Sequence, residues 1–327
     1  GFEALAGPAR SARHTLSLLT LKPGLFTAHG RDAAGQVWLD DLDVDAHASP
    51  ASARLAGPPA AAARPHASHK GSYGDVAVIG GEGLGARGLG MTGAALLAAS
   101  AALHAGAGRV LLALLDDGAS SALPELPELM LRRVEALRLE QGAVVCGCGG
   151  GAAVAARLPA VLQQAQRLVL DADALNAIAA DAELQRLLSE RGRHADCATV
   201  LTPHPLEAAR LLATSAAAVQ ADRLAAAQAL ADRYQCTVLL KGSGSIIAAP
   251  GQLPHINPTG NALLATGGTG DVLAGLVGAR LAAGPAASAA AAFDAATQAC
   301  WQHGAVADDW RAPQALTASR LAQSLHP

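Results

Sequence analysis

A glycine-rich turn that ends in a carboxylate carries the strongest chemical signal in the sequence. It comprises Gly267, Gly268, Thr269, Gly270 and Asp271 and precedes an apolar helical pattern at 272–281. Glycines let the backbone approach a ligand closely, and free N–H groups at a helix start attract phosphate. Asp271 beside such an anion site could accept a proton from a nearby hydroxyl, or bind a metal. The alternative is an ordinary turn in which Asp271 is an N-terminal helix charge.

A second segment with nucleotide-binding character follows an apolar run at 237–240. It comprises Lys241, Gly242, Ser243, Gly244 and Ser245. The Lys241 ammonium could face a phosphate, and the amides of the loop could hold a nucleotide. A polar turn without a ligand is the alternative.

Two further segments place polar side chains at strand ends. In Thr202-Pro-His-Pro205 the second proline suits the first helical position, and Glu207 suits the first turn, where the helix dipole favours it. His204 is a binding candidate, and Glu207 could reach a magnesium ion through water. Asp171 and Asp173 stand two residues apart after another apolar run, where a helix cap would explain one of them.

A weaker motif, G-x-G-x-x-G, occupies residues 83–88 after an apolar run. With Asp116 and Asp117 it could indicate a dinucleotide site of a dehydrogenase. The glycines begin several residues after the predicted strand, and the acidic pair lies beyond the expected distance of about 20 residues. This spacing disfavours hydride transfer.

Composition excludes several classes of protein. The chain has 327 residues, a net charge of −3 and no basic block, so we expect no nucleic-acid surface. Charged residues interrupt the apolar runs before they reach the roughly 20 residues of a membrane span. The five scattered cysteines are typical of small buried thiols and of a cytoplasmic protein. The Ala-rich helical surfaces allow self-association, and we expect a homo-oligomer.

Short apolar runs alternate with helical patterns from residue 69 onward. Strands are predicted at 75–79, 109–115, 143–146, 167–170, 199–201 and 237–240. Helices are predicted at 92–103, 152–166, 174–191, 205–212, 221–234 and 272–281. This alternation predicts an α/β fold with a mainly parallel sheet covered by helices on both faces. Ligands in such sheets lie beyond the carboxyl ends of the strands.

The ordered set of motifs resembles the ADP-dependent NAD(P)H-hydrate dehydratase family, which has a ribokinase-like three-layer fold. The resemblance covers residues 69–327, and it is carried by the motifs around positions 69–74, 80–81, 93–95, 170–176, 202–205, 241–244, 257–261 and 268–271. It departs from the family at Gly147-Cys-Gly149, where a proline is more usual than Cys148.

The resemblance implies the repair of hydrated NADH or NADPH at the expense of ADP, giving AMP and phosphate, with Mg²⁺ present. By resemblance, Asp271 is the catalytic residue. Ala94, Gly149, His204 and Asp271 contact the hydrated dinucleotide. The adenine nucleotide is held by residues 241–245 and by Gly270, and the amides of 267–270 form an anion hole for the moving phosphoryl group.

The first 50 residues resemble the end of an NAD(P)H-hydrate epimerase domain, with strands predicted at 14–21 and 36–39, and residues 51–68 form an Ala/Pro-rich linker. The body of that domain does not appear in the sequence, so we expect no epimerase activity. Two other functions stay open: a small-molecule kinase of the same fold, which would keep the phosphate on its product, and a catalytically silent nucleotide-binding sensor. Preference between the NADH and NADPH hydrates is not set by the sequence.

Overall fold

Strands and helices alternate along most of the chain, as the sequence predicts. The computed structural model describes residues 13–44, 50–60, 64–116, 125–311 and 313–327. The strands are β1 His14–Leu18, β2 Gln36–Asp40, β3 Arg54–Leu55, β4 Asp75–Gly80, β5 Arg109–Leu114, β6 Met130–Leu131, β7 Ala143–Cys146, β8 Arg167–Leu170, β9 Ala198–Leu201, β10 Thr237–Leu240, β11 Ile246–Ala248 and β12 His255–Ile256.

The helices fill the connections between these strands. They are α1 Ala28–Ala34, α2 Leu84–Arg87, α3 Thr92–His104, α4 Leu158–Gln164, α5 Ala172–Ala180, α6 Ala182–Gly192, α7 Pro205–Leu212, α8 Ala216–Ala221, α9 Arg223–Tyr234, α10 Thr269–Ala283, α11 Ala289–Asp308 and α12 Ala318–Gln323. Within the described residues, no helix is both long and apolar enough to cross a bilayer.

Ten strands of the described chain form one sheet. Their order is β3-β12-β11-β10-β9-β8-β7-β4-β5-β6. Neighbours are parallel except β11, which is antiparallel to β10 and β12. The predicted mainly parallel sheet is therefore confirmed. Four strands that are consecutive in space, β10, β9, β8 and β7, end at one edge, so the residues that follow them meet there.

Two apolar layers cover the sheet, one on each face. On one face, alternate strand residues such as Val78 and Val145 pack against α3, α10 and α11. On the other face, the intervening residues such as Ile79 and Val144 pack against α4 to α9. The period-two alternation of a strand divides its side chains between the two cores. The predicted three-layer arrangement is confirmed.

Several predicted boundaries are wrong for local reasons. The helix predicted at 174–191 is two helices, because Asp181 Oδ1 accepts hydrogen bonds from Glu183 N and Leu184 N and starts α6. The helix predicted at 152–166 begins as a 3₁₀ helix, Gly151–Arg157. The strand predicted at 14–21 ends at Leu18, since Leu19 has a φ of 66°.

The segment predicted as a linker contributes an edge strand. Arg54 N donates to Pro254 O and Ala56 N donates to Ile256 O, which joins β3 to β12. In the predicted epimerase remnant, β1 and β2 form a separate parallel pair. Residues 1–12 and 45–49 of that remnant lie outside the described residues, as does Asp117. The division into a remnant, a linker and a main domain stays a prediction.

Helices α3 and α10 pack at a distance that only a glycine allows. A β-carbon on Gly275 would lie 2.0 Å from the carbonyl oxygen of Ala98, which is backbone and cannot move aside cheaply. The contact matters for the site because Asp271 lies in the first turn of α10 and Ala94 lies in the first turn of α3.

We predict that Gly275→Ala destabilises the protein by about 1–3 kcal/mol, because the new methyl forces the two helices apart. Gly93→Ala is the matched control: Gly93 lies in α3, and a β-carbon there has no neighbour within 4 Å. That variant should gain up to about 1 kcal/mol from helix propensity. Urea unfolding measures both free energies, and equal stability of the two variants would contradict the account.

Candidate functional site

Side chains from three neighbouring strand ends meet in a buried ion pair. Lys241, after β10, donates from Nζ to Oδ1 of Asp171, after β8, at 2.7 Å. Thr202, after the intervening β9, donates from Oγ1 to the same oxygen at 2.8 Å. The Asp171 side chain is 2% exposed and that of Lys241 is 18% exposed. Sheet order thus assembles residues that lie 70 positions apart in the chain.

The first turn of α10 lies against this ion pair. Gly268 precedes the helix with a φ of 92°, and Val272 N makes the first helical hydrogen bond, to Gly268 O. The amides of 269–271 precede that bond and have no acceptor within the helix. A β-carbon on Gly270 would lie 3.4 Å from Lys241 Nζ, so the ammonium lies beside the first turn of α10. The free amides and the ammonium together form an anion-binding corner.

Asp271 lies in the first turn of α10, close to two other polar side chains. Ligand-type atoms of Cys148, Asp171 and Asp271 lie within 4.8 Å of one another. Burial, followed by the charge of Asp171, raises the pKa of Asp271 from 3.8 to about 6. The Cys148 thiol and the Lys241 ammonium act in the opposite direction. A carboxyl group with this pKa is mostly ionised near neutral pH. It can then accept a proton as a base and release it again afterwards.

The Lys241 ammonium stays charged despite its environment. Burial lowers its pKa, but the Asp171 and Glu207 carboxylates raise it more, and the net pKa lies above the usual value. The ammonium therefore keeps its own positive charge beside the first turn of α10, while its pair with Asp171 is neutral overall.

His204 and Glu207 form a capping box at the start of α7. His204 Nδ1 accepts hydrogen bonds from Leu206 N and Glu207 N, and His204 N donates to Glu207 Oε2 at 2.8 Å. His204 Nε2 lies 3.2 Å from Glu207 Oε1. Burial, with a smaller effect of Lys241, lowers the pKa of His204, and burial raises that of Glu207 to about 7. Both oxygens of Glu207 thus contact His204, and its predicted water-mediated metal role stays a prediction.

A cavity of about 860 Å³ adjoins the anion-binding corner. Of the residues predicted for the nucleotide, the cavity is lined by Lys241, Gly242, Ser243, Ser245, Thr269 and Gly270. Gly244, Gly267 and Gly268 lie outside its lining, although each belongs to one of the two loops. The loop of residues 241–245 forms a tight turn, in which Gly242 N donates to Ser245 Oγ and Ser245 Oγ donates to Gly242 O. The volume is in the range of small-molecule sites.

The residues predicted to contact the substrate fall into two places. Ala94 is 8% exposed in α3, and a β-carbon on Gly149 would lie 2.9 Å from its Cβ. Asp271 is near the same loop through Cys148. His204 instead lines the 860 Å³ cavity. A second cavity, of about 900 Å³, is lined by Gly93, the chain neighbour of Ala94, and by Glu82 and Asp116.

Several side chains of this site have roles that the sequence patterns do not indicate. Asp171 precedes α5 without capping it, and Asp173 accepts a hydrogen bond from Gly151 N instead, so the helix-cap interpretation is wrong for both. His303 is buried and its Nε2 lies 2.9 Å from Thr269 O, with a pKa lowered by burial to about 4. Cys148 was assigned only as a buried thiol, and its burial is confirmed. No spacing rule links His303 to α10.

Two cavity-lining residues come from the N-terminal part of the chain. Arg31 and Asp32, in α1, lie on the wall of the 860 Å³ cavity. Their position depends on packing between segments more than 200 residues apart, which sequence patterns do not report.

Comparisons with known proteins show the family of this chain. The family model described as NAD(P)H-hydrate dehydratase matches residues 76–326. The ADP-dependent (S)-NAD(P)H-hydrate dehydratase of Neisseria meningitidis is 41% identical over 273 residues, which cover 81% of this chain and 86% of that protein. The bifunctional NAD(P)H-hydrate repair enzyme of Escherichia coli is 35% identical over 318 residues, 93% of this chain. The chain spans only 58% of the length of that bifunctional relative.

Solved structures show the same fold. The ADP/ATP-dependent NAD(P)H-hydrate dehydratase of Bacillus subtilis, crystallised with ATP and Mg²⁺, superposes with a TM-score of 0.62 at 28% identity. The match covers 82% of this chain and 91% of that one. A ribokinase-like superfamily protein of Enterococcus faecalis gives a TM-score of 0.64 at 26% identity, covering 80% and 89% of the two chains. The chain belongs to the NAD(P)H-hydrate dehydratase family.

Proposed function

We propose that this protein converts NADH-hydrate or NADPH-hydrate to NADH or NADPH and consumes ADP, which yields AMP and phosphate. The observation that carries the proposal is the position of Asp271: a half-buried carboxylate in the first turn of α10, beside an anion-binding corner. A base and a phosphate site together are what a phosphoryl transfer to a hydroxyl requires.

The first step is transfer of a phosphoryl group to the ring hydroxyl of the hydrate. Asp271 takes the hydroxyl proton, and the hydroxyl oxygen forms a bond to the terminal phosphorus of ADP while the bond to the AMP oxygen breaks. Two features of the corner receive the negative charge of the moving group: the amides at the start of α10 and the Lys241 ammonium. Asp171 and Thr202 keep that ammonium in place.

The second step is elimination of phosphate. Hydroxide is a poor leaving group, whereas a phosphate ester departs easily when the ring nitrogen lone pair assists. The C–O bond breaks, the phosphate retains the oxygen of the former hydroxyl, and a ring proton is lost as the reduced nicotinamide re-forms. A kinase-like site can therefore catalyse a dehydration.

The other predicted residues have binding roles in this proposal. The loop of 241–245 and the amides of Gly267–Gly270 hold ADP in the 860 Å³ cavity, which the observed lining supports for most of them. Ala94 and Gly149 lie near Asp271 and contact the hydrated dinucleotide, with His204 at the edge of the nucleotide cavity.

Magnesium fits this site as an ion that accompanies the nucleotide. The Cys148, Asp171 and Asp271 group is unsuited to hold it alone, because a thiol is a poor Mg²⁺ ligand and Lys241 already neutralises Asp171. Phosphate oxygens would supply most ligands, with Glu207 reached through water, and the ion would neutralise phosphate charge.

The direct test is to mix the pure protein with NADPH-hydrate and Mg²⁺, with ADP or with ATP, and to follow the absorbance of the reduced nicotinamide. We expect a rise that requires a nucleotide and is matched by release of inorganic phosphate. If the protein binds ADP but neither nucleotide supports a rise, the kinase alternative takes precedence. A stable phosphorylated product would identify it.

We predict that Asp271→Asn lowers kcat by at least about a hundredfold, because the amide cannot accept the hydroxyl proton. Its dissociation constant for ADP should stay within about threefold of the original, which calorimetry measures. Asp294→Asn, an exposed change in α11, is the matched control and should keep full activity. Wild-type turnover by Asp271→Asn would remove the proposed base and leave the family assignment intact.

The raised pKa of Asp271 also predicts a stability effect. Because the folded-state pKa is about 6 and the ordinary value is 3.8, ionised Asp271 destabilises the folded state, fully above pH 6 and less as the pH falls toward 4. Asp271→Asn should therefore raise the free energy of unfolding at pH 8 by about 3 kcal/mol.

At pH 5 this gain should shrink to roughly half, since folded-state Asp271 is then mostly protonated. Urea unfolding at the two pH values, with Asp294→Asn as the control, measures both numbers. A gain that is equal at pH 8 and pH 5, or a loss at both, would show that Asp271 is not a strained buried charge.

A further inference from the structure

Part of the N-terminal region, residues 22–34, lies directly on the predicted nucleotide loop. Ala28 N donates to Ser243 O at 2.9 Å, and Ser243 Oγ donates to Ala28 O at 3.3 Å. A β-carbon on Gly244, whose φ is +64°, would lie 1.9 Å from Phe26 O. Glycine at this position therefore serves the contact with residues 22–34, and Gly244 is not part of the lining of the 860 Å³ cavity.

The Arg31 side chain connects α1 by hydrogen bonds to a second loop of the same cavity, residues 257–261. Its Nη2 donates to Pro258 O at 2.6 Å and to Gly260 O at 2.7 Å, and its Nη1 donates to Thr259 O at 3.3 Å. The planar guanidinium suits several carbonyl acceptors at once. Residues 22–34 thus bridge the loop of 241–245 and the loop of 257–261, and they form a wall between them.

Asp32 is the acidic residue of this wall that lines the cavity. It is exposed, and its side chain makes no hydrogen bond or ion pair with any other residue that the structure describes. Asp308, another carboxylate of the lining, already accepts hydrogen bonds from Gly260 N and Asn261 Nδ2. Asp32 therefore has acceptor capacity for a ligand.

The charge of Asp32 decides which part of a nucleotide it could contact. The phosphates belong at Lys241 and the start of α10, and a carboxylate would repel them. The nucleoside half is uncharged and carries hydrogen-bond donors: the ribose hydroxyls and the adenine amino group. A hydrogen bond to a charged acceptor is stronger than a neutral one.

We propose that residues 22–34 complete the nucleotide site, with Asp32 accepting a hydrogen bond from the nucleoside half of ADP. Arg31 is a positioning residue that holds α1 against the loop of 257–261. The inference rests on the proposed function, since it takes ADP as the ligand of this cavity. It assigns a role in dehydration to the region that resembles the end of an epimerase domain.

The test is calorimetric titration of the full chain with ADP. Asp32→Asn should weaken ADP binding about tenfold. Asp43 is an exposed residue of the first 50 positions that does not line the cavity. The control variant Asp43→Asn removes the same charge and should bind ADP as the original chain does. Equal affinity of Asp32→Asn and the original would overturn the inference alone. A failure of the original chain to bind ADP would contradict the proposed function itself.

Analogues identify the donor. With 2′-deoxy-ADP, 3′-deoxy-ADP and inosine diphosphate, the original chain should lose affinity for the analogue that lacks the donor, and Asp32→Asn should no longer distinguish that analogue from ADP. Discrimination that is the same in both proteins would show that Asp32 contacts none of these groups.

The role of Arg31 is tested by a change in the KM for ADP alone, which a general loss of stability would not produce. Arg31→Ala should raise the KM for ADP several-fold, with kcat and the KM for the hydrate unchanged, and Arg31→Lys should lie between Arg31→Ala and the original. A thermal unfolding curve verifies that each variant is folded. An unchanged KM for ADP in folded Arg31→Ala would contradict the positioning role.

Discussion

The buried ion pair between Asp171 and Lys241 is the interaction on which the site depends. Taking two charges out of water is costly, and a pair at 2.7 Å with a further hydrogen bond from Thr202 offsets that cost. Removal of either partner would leave an uncompensated buried charge, which costs about 3–5 kcal/mol. The pair has two consequences: it holds the Lys241 ammonium beside the first turn of α10, and its carboxylate helps to raise the pKa of Asp271. One interaction thus links phosphate binding and base strength.

The position of this pair follows from the order of the strands. β8 and β10 flank β9, so Asp171 and Lys241 meet across the end of β9, where Thr202 donates a hydrogen bond to Asp171. Helix α10, whose first turn carries Asp271, packs closely against α3 through Gly275. The small residues at this contact therefore hold the helix that carries the proposed base.

Sequence patterns predicted much of this arrangement. Apolar runs bounded by Gly, Asp or Lys located every strand whose end supplies the site, and the glycine-rich turn before α10 located Asp271. They did not show which strands are neighbours, so they left the partner of Lys241 unidentified and predicted a helix cap for one of Asp171 and Asp173. The short strands β11 and β12 have too few residues for a period-two pattern. The contact of Arg31 with residues 258–260 depends on chain folding over more than 220 positions, which no local pattern encodes.

The central claim is that a phosphoryl group is transferred to the ring hydroxyl before water is lost. The measurement that tests it most directly is the fate of that oxygen. NADPH-hydrate labelled with oxygen-18 in the ring hydroxyl is converted by the protein with ADP, and the released phosphate is analysed by mass spectrometry. The account predicts that the label appears in inorganic phosphate, one atom per turnover. Label found in water, with unlabelled phosphate, would show that the hydroxyl leaves without phosphorylation and would contradict the account.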